Sequence, residues 1–294
     1  MVRLERLAPW LFVLIWSSGF VVAKYAFLNS DVIFFLSLRL LIAGALLGVV
    51  TLALGQPLLL NRRQILISIS IGVALHALYL GGVWQSIAEG STPAIASVVT
   101  SLQPVLVSVI AVKVLKESLN KSQGIGLVVG LAGVLLVLQP ALSDSGELTI
   151  VALILLILAL IGSTSATLMQ KKSGEETPLL AGTTYQFLSA GTLLFSFSFI
   201  SGEKSVDWNL ESILAMSWAV LVTSIIAILL LLWMLQKGSA AKVSSLLYLV
   251  PPMTAIQALI LFGEKLNPQS IIGIVMTTLG VALVQKRQLL KVVS

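Results

Sequence analysis

Apolar residues fill this chain in runs of about 20, the length a helix needs to cross the hydrocarbon core of a bilayer, and short polar clusters separate the runs. That ruler predicts helices near 8–28, 32–54, 65–86, 92–114, 122–139, 148–169, 178–200, 211–234, 240–262 and 268–285. The gaps hold turn-forming residues: Asn29-Ser30-Asp31, Gly55-Gln56-Pro57, Glu89-Gly90-Ser91, Gln139-Pro140, Lys237-Gly238-Ser239 and Gly263 through Pro268. The first run follows Arg3 and Arg6, as the apolar stretch of a signal peptide would. It is long enough to span, no A-x-A site closes it and more spans follow, so it is read as a first transmembrane helix.

Composition supports the same picture. Of 294 residues, 57% are hydrophobic and 10% charged, against roughly a quarter charged in soluble domains. So few polar residues cannot coat a core of this size in water, and lipid is the expected solvent. The formal charge of +6 is scattered in ones, twos and threes between apolar runs, which argues against a nucleic-acid partner. The basic residues act instead as orientation signals. With a cytoplasmic N-terminus, 14 of the 18 lysines and arginines fall at the inner face, among them Arg62, Arg63, Lys171, Lys172, Lys286 and Arg287. Lys24, Lys204 and Lys265 fall outside and Arg39 lies within the second helix. Both termini are therefore expected in the cytoplasm.

The chain also matches itself at a shift of 147 residues, half its length. Gly44 falls on Gly191, Gly55 on Gly202, Ser97 on Ser244, Pro104 on Pro251, Glu117 on Glu264, Asn120 on Asn267, Gly126 on Gly273 and Gly133 on Gly280. The repeats are residues 1–147 and 148–294. Each holds five helices, an odd number, so the second must enter the membrane from the opposite side. The expected fold is thus an all-α polytopic membrane protein of ten transmembrane helices in two inverted five-helix repeats. That architecture recurs in secondary transporters, with the substrate held near the midplane between the halves.

Trp16-Ser-Ser-Gly-Phe-Val-Val-Ala-Lys24, Leu38-Arg39, and the stretch from Ala94 through Pro104 to Lys116-Glu117-Ser-Leu-Asn resemble the EamA-like branch of the drug/metabolite transporter superfamily. The signature recurs as Val250-Pro251 through Gly263-Glu264-Lys-Leu-Asn-Pro-Gln and Gly273 to Gly280. The resemblance covers essentially the whole chain. It implies a multi-pass protein of a bacterial inner membrane that transports, commonly exports, amino acids or other small metabolites. The repeats are unequal: Gln186 stands opposite Arg39, and Ser163 opposite Trp16.

Polar groups in mid-span are costly and usually face a cavity or another helix. The sole histidine, His76, lies near the centre of helix 3, with Tyr79 on the same face and Thr223 as its repeat mate. These three are candidates for a polar wall that hydrogen-bonds substrate, the alternative being a histidine bonded to a neighbouring helix. Ser97, Ser101 and Pro104 share a stripe at i, i+4 and i+7, which the repeat sends to Ser244, Tyr248 and Pro251. Proline kinks and facing hydroxyls in both repeats suggest a central pathway with Pro104 and Pro251 shaping its gates. Trp16 offers an aromatic wall to a substrate ammonium, or a packing residue. Trp10, Trp84 and Trp208 read as belt residues near the interfaces. Arg39 snorkels outward, pairs with a helix end or meets a substrate carboxylate, and a structural role is the expectation. Glu117 and Glu264, next to lysines and before a capping Asn, fit loop-fixing roles.

With one histidine and no cysteine, neither a histidine-rich nor a thiolate metal site is expected, and the chain implies no cofactor. Ser239-x-x-Lys242 is an isolated match to an acyl-transfer pattern, and no other enzyme constellation or ATP-binding loop appears. The expected partners are a small-molecule substrate and the bilayer, with transport driven by a gradient or by facilitated diffusion. A channel, a membrane enzyme or a non-transporting membrane subunit are the competing readings.

Overall fold

A computed structural model describes residues 2–115, 121–143, 148–173, 177–202, 204–237 and 246–291. They form helix α1 (Val2–Asn29), α2 (Val32–Ala53), α3 (Arg62–Gly72), a π-helical segment π1 (Val73–Leu80) and α4 (Gly81–Ala88). Next come α5 (Pro93–Thr100), α6 (Gln103–Leu115), α7 (Lys121–Ser143), α8 (Ile150–Ser173) and α9 (Leu179–Ser201). The chain continues through α10 (Leu210–Ser217), π2 (Trp218–Ile226), α11 (Ala227–Lys237), a 3-10 turn (Leu247–Leu249), α12 (Val250–Phe262) and α13 (Pro268–Lys291). Elements α3-π1-α4 and α10-π2-α11 are continuous rods, and α5-α6 is one rod broken at Ser101–Leu102. The described residues therefore make ten helical spans and no strand, beyond one isolated bridge between Ser30 and Val206. Five of them meet a strict test of length and apolarity on their own, from Leu7–Ala26 to Leu210–Leu231. Four others are shorter apolar helices, Pro93–Val107, Gly124–Pro140, Leu247–Phe262 and Pro268–Leu283. Helix α9 is long but carries Thr183, Thr184 and Gln186 in its apolar run.

Local chemistry sets the ends. Asn61 starts α3 with a capping box, accepting from the Gln64 N–H at 2.9 Å while its own N–H donates to Gln64 Oε1 at 3.0 Å. Gly55 and Gly202, repeat mates, follow α2 and end α9 with φ of +67° and +84°, a left-handed turn that favours glycine. Helix α1 begins before the apolar run, because backbone hydrogen bonding continues through polar residues outside the hydrocarbon.

The chain divides into two compact units, and each draws on both sequence halves. Unit 1 comprises Met1–Val21, Glu89–Leu153 and Ile226–Ser294, and unit 2 comprises Val22–Ala88 and Ile154–Ile225. The inversion is written into the contacts of each. In unit 2, α2 packs on its mate α9. A Cβ on Gly44 would meet Leu188, and one on Gly191 would meet Leu41, the same contact seen from either repeat. Gly48 faces Thr184 farther along. As position numbers rise on α2 they fall on α9, so the mates run antiparallel about a local two-fold, an isologous contact.

Unit 1 repeats the device. Gly133 of α7 packs on Gly273 and Thr277 of α13, and Gly280 packs on Gly126 and Gly130. Near the other end Gln269 donates to Leu136 O at 3.2 Å and also reaches Gln139. These helices too run antiparallel, and glycine lets their backbones touch.

Candidate functional site

The polar residues of mid-span in unit 2 gather on its local two-fold. Arg39 of α2 is buried, and its Nη2 donates to Thr223 Oγ1 at 2.9 Å and Ser224 Oγ at 3.3 Å, both on π2. The repeat mate of this contact is present as well. Gln186 of α9, the mate of Arg39, lies in hydrogen-bonding reach of His76 on π1, the mate of Thr223. The four residues thus stand at matched repeat positions, Arg39 bonded to Thr223 and Gln186 close to His76.

Close packing positions each member. A Cβ on Gly72 would fall 2.6 Å from Gln186 O, and one on Gly162 of α8 would fall 2.7 Å from Ala74 O. Glycine at these points lets α9 and α8 lie directly against the rod that carries π1. His76 meets the edge of Phe187, ring centroids 4.7 Å apart, and Arg39 lies over the Trp84 ring with Cζ 5.1 Å from its centroid. Trp84 in turn packs on Phe35, which also stacks with Trp208. The π segments overlap in repeat position, since 73–80 shifted by 147 gives 220–227 and π2 covers Trp218–Ile226. Such insertions in an α-helix often mark functional positions, because the widened turn redirects carbonyls and side chains.

One sequence-based expectation is corrected here, and one of the three alternatives for Arg39 is removed. Trp84 is no belt residue: it is fully buried, because hydropathy reports depth along a span but not which way a side chain faces. Arg39 does not snorkel, since its guanidinium finds hydroxyl acceptors inside unit 2.

The remaining candidates lie in unit 1, apart from Tyr79, which sits on π1, and Ser244, which is outside the described residues, as is Glu117. Trp16 packs on Phe12 with centroids 5.2 Å apart, in a cluster with Ala8 and Met234. Gln257 of α12 donates to Leu14 O and Ser17 Oγ, two residues before and one after Trp16, both at 3.0 Å. Ser97 and Ser101 donate back to their own helix, to Ala94 O at 2.8 Å and Val98 O at 2.6 Å. The helix breaks at Ser101–Leu102, so Ser97, Ser101 and Pro104 do not share one unbroken stripe. The break recurs at the same repeat position: Tyr248, mate of Ser101, is buried in the 3-10 turn before α12. Pro104 and Pro251 each stand second in the helix that follows, where a missing N–H costs least.

Sequence reasoning singled out His76 and Thr223 but did not pair them with Gln186 and Arg39. The signal was present in the repeat alignment, which matched position 39 with 186 and 76 with 223.

Antiparallel repeat mates, helices broken at matched positions and a polar centre within mid-span define a multi-span membrane transporter of the inverted-repeat type. The chain belongs to the EamA-like transporter family, whose family model matches residues 7–139 and 150–285. Among curated relatives, the uncharacterized transporter YvbV of Bacillus subtilis (strain 168) is 24% identical over 94% of this chain and 89% of its own. The uncharacterized inner membrane transporter YedA of Escherichia coli (strain K12) is 26% identical over 91% of this chain and 88% of its own. A solved crystal structure superposes with a TM-score of 0.68 at 17% identity, covering 97% of this chain and 98% of that one, a likeness of fold.

Proposed function

We propose that this transporter carries amino acids or related small metabolites out of a bacterial cell across the inner membrane, by alternating access. The observation that carries the reading is the two-fold quartet of Arg39, Thr223, Gln186 and His76, which sets hydrogen-bonding groups at the symmetry centre of an inverted pair. A group at that point is equivalent with respect to the two membrane faces, which suits a site that opens to each in turn. The π segments and the matched breaks before Pro104 and Pro251 give the rods places to bend, and the prolines are assigned to gating. Within unit 2, His76, Tyr79 and Thr223 are assigned to substrate contact; Trp16, Ser97, Ser101 and Tyr248 are separate candidates within unit 1, and Ser244 lies outside the described residues. The bias of basic residues toward one set of loops supports a cytoplasmic location for both termini.

Efflux from proteoliposomes tests this. Vesicles loaded with a radiolabelled amino-acid panel should empty faster than protein-free vesicles, and the rate should saturate with internal concentration. A rate that rises linearly without limit favours a channel, and no flux at all favours a non-transporting subunit.

A further inference from the structure

The polar centre of unit 2 holds more donors than its packing uses. Arg39, 5% exposed, brings a full positive charge and five N–H donors into the span. Nη2 serves Thr223 and Ser224, while Nε and Nη1, with the other three hydrogens, meet no acceptor. No carboxylate among the described residues pairs with it. Thr223 and Ser224 send their own hydroxyl hydrogens to Ala219 O, at 2.8 and 2.9 Å. The indole Nε1–H of buried Trp84, beneath the guanidinium, also lacks an acceptor, and His76 Nε2 has no partner. An uncompensated guanidinium inside a span is costly, and each unmet buried donor adds to the cost. The fold does not demand that cost. Gln186 fills the mate position, equally buried, with a neutral amide.

We propose that Arg39 is the carboxylate-binding group of the transport site. It receives the carboxylate of an amino, hydroxy or oxo acid on Nε and Nη1, with the Trp84 indole N–H as a further donor in the same cluster. Acceptor-only and anionic, a carboxylate supplies the two things the cluster lacks, and the planar guanidinium suits its geometry. The assignment rests on the carriage proposed above and narrows its substrates to solutes that bear a carboxylate.

The test compares acids with their primary amides, which have nearly the same shape without the charge. Full-length protein in nanodiscs is titrated with L-leucine against L-leucinamide, benzoate against benzamide, and inorganic phosphate, reading tryptophan emission. At least one acid should bind about tenfold or more tightly than its amide, as a charge-assisted pair implies. Arg39→Gln should erase that preference while melting within a few degrees of the parent, since glutamine already occupies the mate position. Arg39→Lys, which keeps the charge and loses the fork, should retain part of it. If Arg39→Gln fails to fold, the wild-type comparison and Arg39→Lys still decide. Equal binding of every acid and amide overturns the proposal, as does phosphate binding that matches the best acid. Saturable efflux of a solute without any anionic group, unchanged in Arg39→Gln, overturns it and leaves carriage standing. Acid-selective binding with no saturable efflux of any solute overturns carriage and leaves the Arg39 site standing.

Discussion

Gly280→Ala places one methyl group where α13 meets α7. The added Cβ would lie 2.6 Å from Gly126 O and Gly130 Cα, about 0.8 Å short of the 3.4 Å at which ordinary contact begins. Those atoms are backbone, so no side chain can swing aside and the helices must part. Overpacking of this kind costs about 1–3 kcal/mol. Alanine returns about 0.5–1 kcal/mol of helix propensity, leaving a net loss of about 0–2.5 kcal/mol, centred at about 1 kcal/mol. The mate Gly133→Ala puts its Cβ 2.5 Å from Thr277 N and 2.6 Å from Gly273 O, and should lose a similar amount. The double variant should lose less than the sum, because one separation of the helices relieves both clashes. Gly124→Ala meets nothing within 4 Å and should be neutral or slightly stabilising. Reversible unfolding in mixed micelles by titration with SDS would read all four. Gly133→Ala and Gly280→Ala as stable as the parent would refute the antiparallel glycine contact.

Other outcomes follow from the same structure. His76→Ala and Tyr248→Ala should each raise the half-saturating solute concentration roughly two- to tenfold, as loss of one hydrogen bond implies, with folded protein retained; unchanged efflux kinetics in both would remove them from the site. Gly202→Ala forces a Cβ onto φ +84° and should lower stability by about 1–2 kcal/mol in the SDS titration. The chain has no cysteine, so single cysteines report topology cleanly. Exposed Leu59→Cys should react with a membrane-impermeant maleimide only after permeabilisation, and exposed Leu210→Cys in intact cells; the reverse pattern would invert the assigned orientation.

Much of the fold was legible because the bilayer imposes a single length rule and the repeat imposes a second, independent one. The 147-residue match found Gly44 with Gly191 and Gly133 with Gly280 before any reason for them was visible. Their reciprocal contacts supply it, since only a residue without a side chain admits the mate helix so closely. The repeat likewise matched Ser101 with Tyr248, and both sit where a rod breaks. What sequence withheld was facing. Trp84 and Arg39 lie at depths that fit a belt and a snorkelling cation, yet both turn inward onto each other. Neither π segment has a composition that separates it from the α-helix on either side. The mixing of both halves in each compact unit depends on contacts more than 100 residues apart, such as Arg39 with Thr223, which no local pattern encodes.

Carriage by alternating access is tested most directly by counterflow. Proteoliposomes loaded with excess unlabelled solute and placed in a trace of labelled solute should accumulate label transiently above equilibrium, because unlabelled solute occupies the inward-facing carrier and holds back the exit of label. Label that only approaches equilibrium, at a rate indifferent to the unlabelled pool, would contradict a carrier and leave a pore.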